Sequence, residues 1–344
     1  MINYNSSREK LAVSLNVCRG MEASLEISAE QRVLFVGLVC VDLFQVLRTY
    51  PTEDQGHRCT DSYWQRGGNA SNSATVFSML GGNAEFFGTL SNDRELSFIE
   101  NDFKECDVKF DHSLVIPGTS CPISVVIISQ ESRSRTVLHT NKNLPELTVD
   151  HFKQQIDFNS LQYGWIHFEG RDNAFEIGNM IKHILHYNEM MKKKEANFKP
   201  IIVSLEAEKL RLRPEMDKHS LWQLPDLLFI SKDFAQNDGF ESMTDAVAGY
   251  FPKLKEEATL VCAWGEQGAA AVSSKTGVVV SPAFPPGSVV DTCGAGDTFN
   301  AAVIFALSRK QSLSYAISYA CKVAGLKCGM QGYSGLKQMA LNHF

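Results

Sequence analysis

The sequence contains no Cys-x-x-Cys pair, no apolar run approaching the ~18 residues of a membrane-spanning helix, no basic stripe interleaved with aromatics, and no repeat or low-complexity tract. Each absence removes a class of protein. Nine cysteines, an odd number without paired spacing, argue against a disulfide framework and a zinc knuckle and suit a reducing compartment. With neither an apolar span nor a secretory signal, the chain is expected to be cytoplasmic and to have no membrane partner. The two sequon matches, Asn5-Ser6-Ser7 and Asn69-Ala70-Ser71, then read as accidental. A net charge of -6, from 33 basic and 39 acidic residues, gives no reason to expect a nucleic-acid partner. The densest basic run, Lys192-Lys193-Lys194, reads as a solvated helix end. His183 and His186 have no cysteine or carboxylate at ligand spacing, so they read as a helix face rather than a metal site. A Gly-x-x-x-x-Gly-Lys-Ser/Thr loop is also missing, so any bound phosphate must be held by another device.

What is present is the composition of an ordinary globule. Hydrophobic residues make up 44% and charged residues 21% of 344, enough for a substantial core. Residues 1–30 are Ser-rich and weakly patterned and read as a flexible extension. From Val33 onward, short β-rich runs alternate with longer helical stretches, the rhythm of a mostly parallel sheet with helices on both faces. Strands are expected at 33–37, 85–90, 164–168, 201–205, 227–230 and 260–264. One helix is expected where Ser73, Val76, Phe77 and Leu80 form an apolar stripe closed by Gly81 and Gly82. Another is expected where Phe299, Ala302, Val303, Ala306 and Leu307 do the same. Two segments break the rhythm: 43–66 is polar and punctuated by Tyr50-Pro51, while 122–129 and 135–141 read as a hairpin. Antiparallel pieces inserted in such a chain suit a cap over a site or a subunit interface.

The strongest chemical signal is Val289-Val290-Asp291-Thr292-Cys293-Gly294-Ala295-Gly296-Asp297-Thr298-Phe299-Asn300, where a strand-like end runs through glycines into the second helix. Gly294 and Gly296 let the backbone turn so that successive N–H groups point one way, and the helix N-terminus adds its positive end. The result is an anion hole fit for phosphate oxygens. Asp297 follows in the first helical turn, where a hydroxyl approaching a γ-phosphate would meet its carboxylate, which the helix N-terminus is expected to keep ionised. The bland alternative is an Asp that merely complements the helix dipole. A second signal is Trp64-Gln65-Arg66-Gly67-Gly68-Asn69-Ala70-Ser71-Asn72-Ser73, in which Asn69 and Asn72 share one face of a first helical turn. Planar amides that donate and accept suit sugar hydroxyls; the bland alternative is a helix cap and a surface residue. Asp42 and Asp54 are further polar candidates nearby.

These two elements, in this order and at this separation, resemble the ribokinase family, the phosphofructokinase-B type of carbohydrate kinase, over residues 31–337. Trp64 to Ser73, Ser134-Arg135-Thr136, Ile166-His167-Phe168-Glu169-Gly170-Arg171, Val261-Cys262-Ala263-Trp264 and Ala283-Phe284-Pro285-Pro286 resemble its ketohexose-phosphorylating branch. The resemblance implies a ribokinase-like three-layer α/β/α sandwich over residues 31–344, with a mostly parallel sheet and a small β-sheet lid from roughly 43–66 and 117–143. It implies ATP-dependent phosphorylation of a ketohexose, fructose to fructose 1-phosphate, with Asp297 as general base and Gly294, Ala295 and Gly296 holding the transferred phosphoryl group. Asp42, Asp54, Gly68, Asn69, Asn72 and Asp297 would line the sugar site. Arg135, Lys232, Gly265, Glu266, Gln267, Gly268, Pro285 and Cys321, with the glycine hole, would surround ATP.

The family also implies Mg²⁺, is compatible with a monovalent cation such as K⁺, and suggests a homodimer paired through the lids. One departure concerns the metal. Many relatives carry Asn-x-x-Glu after a middle strand, whereas this chain reads Ser231-Lys232-Asp233-Phe234, so magnesium is expected to be held by nucleotide phosphates and water and no ligand is named. The competing readings are a kinase of ribose or adenosine, because one anion hole serves all of them, and a non-catalytic sugar or nucleotide sensor.

Overall fold

The structure is a computed structural model that describes residues 25–28, 30–132 and 134–337. The chain runs β1 (Arg32–Val36), β2 (Cys40–Leu47), β3 (Asp61–Gly67), α1 (Asn69–Met79), β4 (Ala84–Phe87), β5 (Thr89–Ser91), α2 (Leu96–Glu105), β6 (Leu114–Ile116), β7 (Ile123–Ser129) and β8 (Ser134–Thr140). It continues through α3 (Val149–Gln155), β9 (Tyr163–Glu169), α4 (Ala174–Lys194), β10 (Ile202–Ala207), α5 (Arg213–Lys218), β11 (Leu227–Ser231), α6 (Lys232–Asn237) and α7 (Met243–Tyr250). It closes with β12 (Thr259–Ala263), β13 (Ala269–Ser273), β14 (Gly277–Ser281), α8 (Ala295–Ser308) and α9 (Leu313–Cys328).

Eight strands form the main sheet in the order β14-β13-β12-β11-β10-β9-β1-β4. It is parallel from β12 to β4, and β13 and β14 add an antiparallel edge. Period-two alternation sends neighbouring side chains into two separate cores. Val33 and Phe35 of β1 pack under α1, α8 and α9, while Leu34 and Val36 face α3 and α4 on the other side. The architecture is therefore a three-layer α/β/α sandwich. The antiparallel edge escaped the sequence reading because Ala269-Ala270-Ala271 carries little β preference. The expected strand at 85–90 is split at Gly88, after which β5 leaves the main sheet to pair with β6.

A second sheet, β3-β2-β7-β8, stands apart where the two irregular segments were noted. Its strands β2 and β3 had read only as a polar insertion, because a solvated antiparallel sheet interleaves Asp42, Gln45, Ser62 and Gln65 with apolar residues. Residues 25–28 differ from the expected flexible extension. Leu25 and Ile27 pack on the first core, the Ile27 amide donates to the Ser308 carbonyl at 3.1 Å, and Glu26 pairs with Lys310 at 2.9 Å. Two apolar side chains and one backbone bond suffice to dock so short a stretch. Residues 1–24 of that extension lie outside the described residues. The eight described cysteines are all free thiols, and His183 packs against Phe152 and Phe158. Among the described residues no helix is long and apolar enough to cross a membrane.

Candidate active site

Parallel strands leave their ligand crevice beyond their C-terminal ends, and this sheet does so beneath the small sheet. There a cavity of about 530 Å³ is lined by Asp42, Gly68, Asn69, Asn72, Arg135, Gly294, Ala295, Gly296 and Asp297. Residues from both sequence motifs, 225 positions apart at Asn72 and Asp297, thus meet in one space.

The α1 end is set by Gly68, whose φ of 97° and whose contact with the Leu38 carbonyl leave no room for a Cβ. Gly68 is the helix cap, and no side chain caps the helix. Both asparagines point into the cavity instead. The Asn69 amide donates to Glu206 at 3.2 Å and Glu208 at 2.6 Å, and Asn72 donates to an Asp297 carboxylate oxygen at 2.8 Å. The capping alternative for these residues falls away. The Asn72 carbonyl oxygen is buried and without a partner among the described residues, an acceptor in need of a donor.

The α8 end begins at Gly294, left-handed at φ 72°, where a Cβ would collide with the Tyr333 hydroxyl. The Ala295 amide turns back to the Thr292 carbonyl at 3.3 Å and that of Thr298 to the Gly294 carbonyl at 2.9 Å. The amides of Gly296 and Asp297 remain without a backbone acceptor among the described residues, as the first turn of a helix requires. The Gly294 amide likewise has no acceptor among the described residues, so of the expected hole Gly294 to Gly296 only the Ala295 amide is turned away. Behind it, fully buried Lys327 donates to the Asp291 carboxylate at 2.6 Å and to its carbonyl at 2.9 Å. The same carboxylate accepts from the amides of Cys293 and Gly332, so one satisfied buried ion pair fixes the loop.

Asp297 is 7% exposed. Burial, then the charge of Glu208, push its carboxyl up to about 7. The expectation that the helix N-terminus keeps it strongly ionised is thereby corrected: desolvation and a neighbouring carboxylate outweigh a dipole worth about 0.3–1 kcal/mol. A carboxylate that titrates near neutrality is a better proton acceptor than an ordinary aspartate. Glu206, held by Asn69 and by Asn300 at 2.7 Å, is also raised, by burial and then by Glu208 and Asp297. Glu169 accepts the amides of Leu38 and Ala70 and the guanidinium of Arg171. The sequence reading assigned no role to Glu169, Arg171, Glu206, Glu208, Asn300 or His139. Glu169 ends β9 and Glu206 stands near the end of β10, so the crevice rule for parallel strands was the signal that could have found them.

From the small sheet, Arg135 reaches across the mouth to donate to the Thr292 hydroxyl. Other expected residues sit beyond the far rim. Lys232 follows Ser231 and the turn Gly265–Gln267 follows Ala263, both rim residues of the cavity; Lys232 pairs with Glu266 at 3.0 Å. Cys321 is buried on α9, and Pro285 is exposed in the segment between β14 and α8. Gly268 ends the turn that Gly265–Gln267 begins. Asp54 is not brought in: it is exposed in the β2–β3 connection at φ 60° and does not line this cavity.

Comparison with known proteins agrees with the architecture and the motifs. Over 307 residues the chain is 40% identical to the ketohexokinase of Mus musculus, covering 89% of this chain and 99% of that protein. Among solved structures, the adenosine kinase of Sinorhizobium meliloti superposes with a TM-score of 0.72 at 17% identity, covering 92% of this chain and 100% of that one. The ribokinase of Arabidopsis thaliana complexed with ribose and ATP superposes with a TM-score of 0.69 at 18% identity, covering 92% and 98%. These place the fold as ribokinase-like. The profile of the pfkB family carbohydrate kinases matches residues 30–337, and with it the chain belongs to that family of enzymes, which transfer phosphate to an alcohol group of a sugar.

Proposed function

We propose that this enzyme uses ATP to phosphorylate a ketohexose, converting fructose to fructose 1-phosphate. The observation that carries the reading is the convergence of a near-neutral carboxyl, Asp297, and open helix-end amides on one cavity that Asp42, Asn69 and Asn72 also line. The name of the mouse relative supports the ketohexose, and the ATP named in the Arabidopsis complex supports the donor.

In this reading the hydroxyl lies against Asp297, which takes its proton as the sugar oxygen bonds to the γ-phosphorus. The bond from that phosphorus to the β-phosphate oxygen breaks, and its electron pair leaves on ADP. Little covalent help is required; positioning and charge neutralisation dominate. The amides of Gly296 and Asp297 face the developing oxyanion, Arg135 closes on the phosphates from the small sheet, and Asp42, Gly68, Asn69 and Asn72 hold the sugar. The orphaned Asn72 carbonyl oxygen accepts from one of its hydroxyls. Lys232, the residues 265–268, Pro285 and Cys321 flank the nucleotide.

Magnesium fits this wall. The carboxyls of Glu206 and Glu208 stand together on it, and a cation there would favour the ionised Glu206 that burial and its neighbours otherwise disfavour. Among the described residues no three His, Cys, Asp or Glu side chains gather closely enough to hold an ion alone. When bound it neutralises charge on the transferring group.

Two copies are proposed to pair through the small sheets. On the face opposite the cavity, Trp64, Leu43, Val125 and Leu138 form one apolar row across its four strands, with Trp64 and Leu138 about half exposed. The substrate test is ADP release measured with fructose, tagatose, ribose, glucose and adenosine. Fructose is expected to stimulate far more than ribose or adenosine, and equal turnover with adenosine overturns the assignment.

A further inference from the structure

The small sheet does more than cover the cavity. Asp42 of β2 is in register with Ser124 of β7, and Ser124 with His139 of β8, so the three side chains stand in one row across adjacent strands on the cavity face. Along β8, alternation also sends Arg135 and Val137 to that face. The strand thus carries a guanidinium toward the anion hole and an imidazole toward the polyol end.

The hydrogen bonds in the row have a direction. The Cys40 thiol donates to the Asp42 carboxylate at 3.4 Å, and with that proton committed the Ser124 hydroxyl, 3.8 Å from the Cys40 sulfur, is the donor of the pair. With its proton turned toward Cys40, the Ser124 oxygen is left as the acceptor for His139 Nδ1 at 3.1 Å. A neutral His139 therefore carries its proton on Nδ1, which leaves Nε2 as a bare lone pair. No partner among the described residues takes it, and the ring is exposed within the cavity. We propose that His139 is a substrate-binding and specificity-determining residue, whose Nε2 accepts a hydrogen bond from a sugar hydroxyl lying beside Asp42. This rests on reading the cavity as a sugar site. A sugar hydroxyl supplies the donor that Nε2 needs, while an analogue with an ether or a bare CH₂ there leaves it unpaired.

Charge around the ring keeps it in this form. The charges that act on it are Arg171 and Arg211, which disfavour its protonation, and Asp42 and Glu169, which favour it; partial burial, then Arg171, hold the imidazole below its ordinary 6.5. Above that pH the acceptor is present; acid removes it.

The test compares the wild type with His139→Phe, His139→Gln and Ser124→Ala. KM and kcat for fructose are measured from about pH 5.5 to about pH 8, and ATP binding is measured separately by calorimetry without sugar. One lost hydrogen bond corresponds to a KM raised roughly threefold to tenfold in His139→Phe, with kcat and ATP affinity held. His139→Gln places an amide oxygen near Nε2 and is expected to recover most of the affinity. Wild-type KM should rise more steeply than that of His139→Gln as pH falls below 6.5, because the Asp297 carboxyl titrates in both enzymes and the imidazole only in the wild type. Ser124→Ala leaves the ring in place, frees its tautomer and should raise KM by a smaller factor, which keeps the proposal open to test if the Phe variant fails to fold. An unchanged KM in His139→Phe, or an acid rise in His139→Gln as steep as the wild type's, overturns the proposal while the sugar-site reading stands. Absence of fructose-dependent ADP release in the wild type overturns both.

Discussion

Replacing Asp297 by Asn separates catalysis from stability in a way no surface carboxylate could. The change keeps shape and leaves an amide oxygen to accept from Asn72, while removing both the proton acceptor and a buried charge. Folding raises this carboxyl from 3.8 to about 7, through burial first and Glu208 second, so the ionised form is the one the native state disfavours. Stability is therefore intact below the unfolded-state value, is lost as pH climbs between the two, and stays reduced above about 7. About three units at ~1.4 kcal/mol each set a ceiling of about 4 kcal/mol. Sharing of charge with Glu208 and water in the cavity bring the expected figure to about 2–4 kcal/mol. For 344 residues, with an unfolding entropy near ~2 cal/mol/K per residue, that is a Tm raised by roughly 3–6 °C at about pH 8. Near pH 5 the wild-type group is already protonated in the fold, and the advantage should shrink to roughly 1–2 °C. In the same preparation kcat should fall by ~10²- to 10⁴-fold with ATP still bound. Thermal unfolding at both pH values with a coupled ADP assay reads all three quantities. A Tm that falls equally at both pH values, or near-normal turnover at pH 8, refutes the reasoning.

Arg135→Ala should raise KM for ATP several-fold and leave Tm within about a degree, because the side chain is exposed and its contribution is charge at the cavity mouth; an unchanged kcat/KM for ATP would reduce it to a surface charge. A chain beginning at Gln31 should melt below one beginning at Leu25, since only the latter keeps Leu25 and Ile27 on the core and the Ile27–Ser308 bond. Equal melting of the two would show that this docking contributes nothing.

Much of the fold was legible because it rests on local signals. The parallel strands announced themselves as short runs of Val, Ile, Leu and Phe, and α1 and α8 as apolar stripes behind glycines, because burial on both faces or on one stripe leaves a periodic trace. The small sheet left a weaker one, since one of its faces is wet and its strands mix Asp42, Gln45 and Ser62 with apolar residues. Gly68 and Gly294 were likewise readable: only glycine tolerates those backbone angles, and a motif dense in glycine says so before any coordinate does.

What the sequence could not decide is whatever depends on side chains far apart in the chain. It set Asp297 at a helix start and so suggested a firmly ionised carboxylate; only the folded protein brings Glu208 close and removes the water, turning a low pKa into one near neutrality. Asn69 and Asn72 had an honest alternative as caps until Gly68 proved to hold that position and Glu206, Glu208 and Asp297 claimed the amides. The Asp42–Ser124–His139 row spans three strands with no common motif and exists only through sheet register. Backbone conformation and burial period are written locally, residue by residue. Electrostatic environment and hydrogen-bond partnership are properties of proximity, and proximity is what tertiary structure creates.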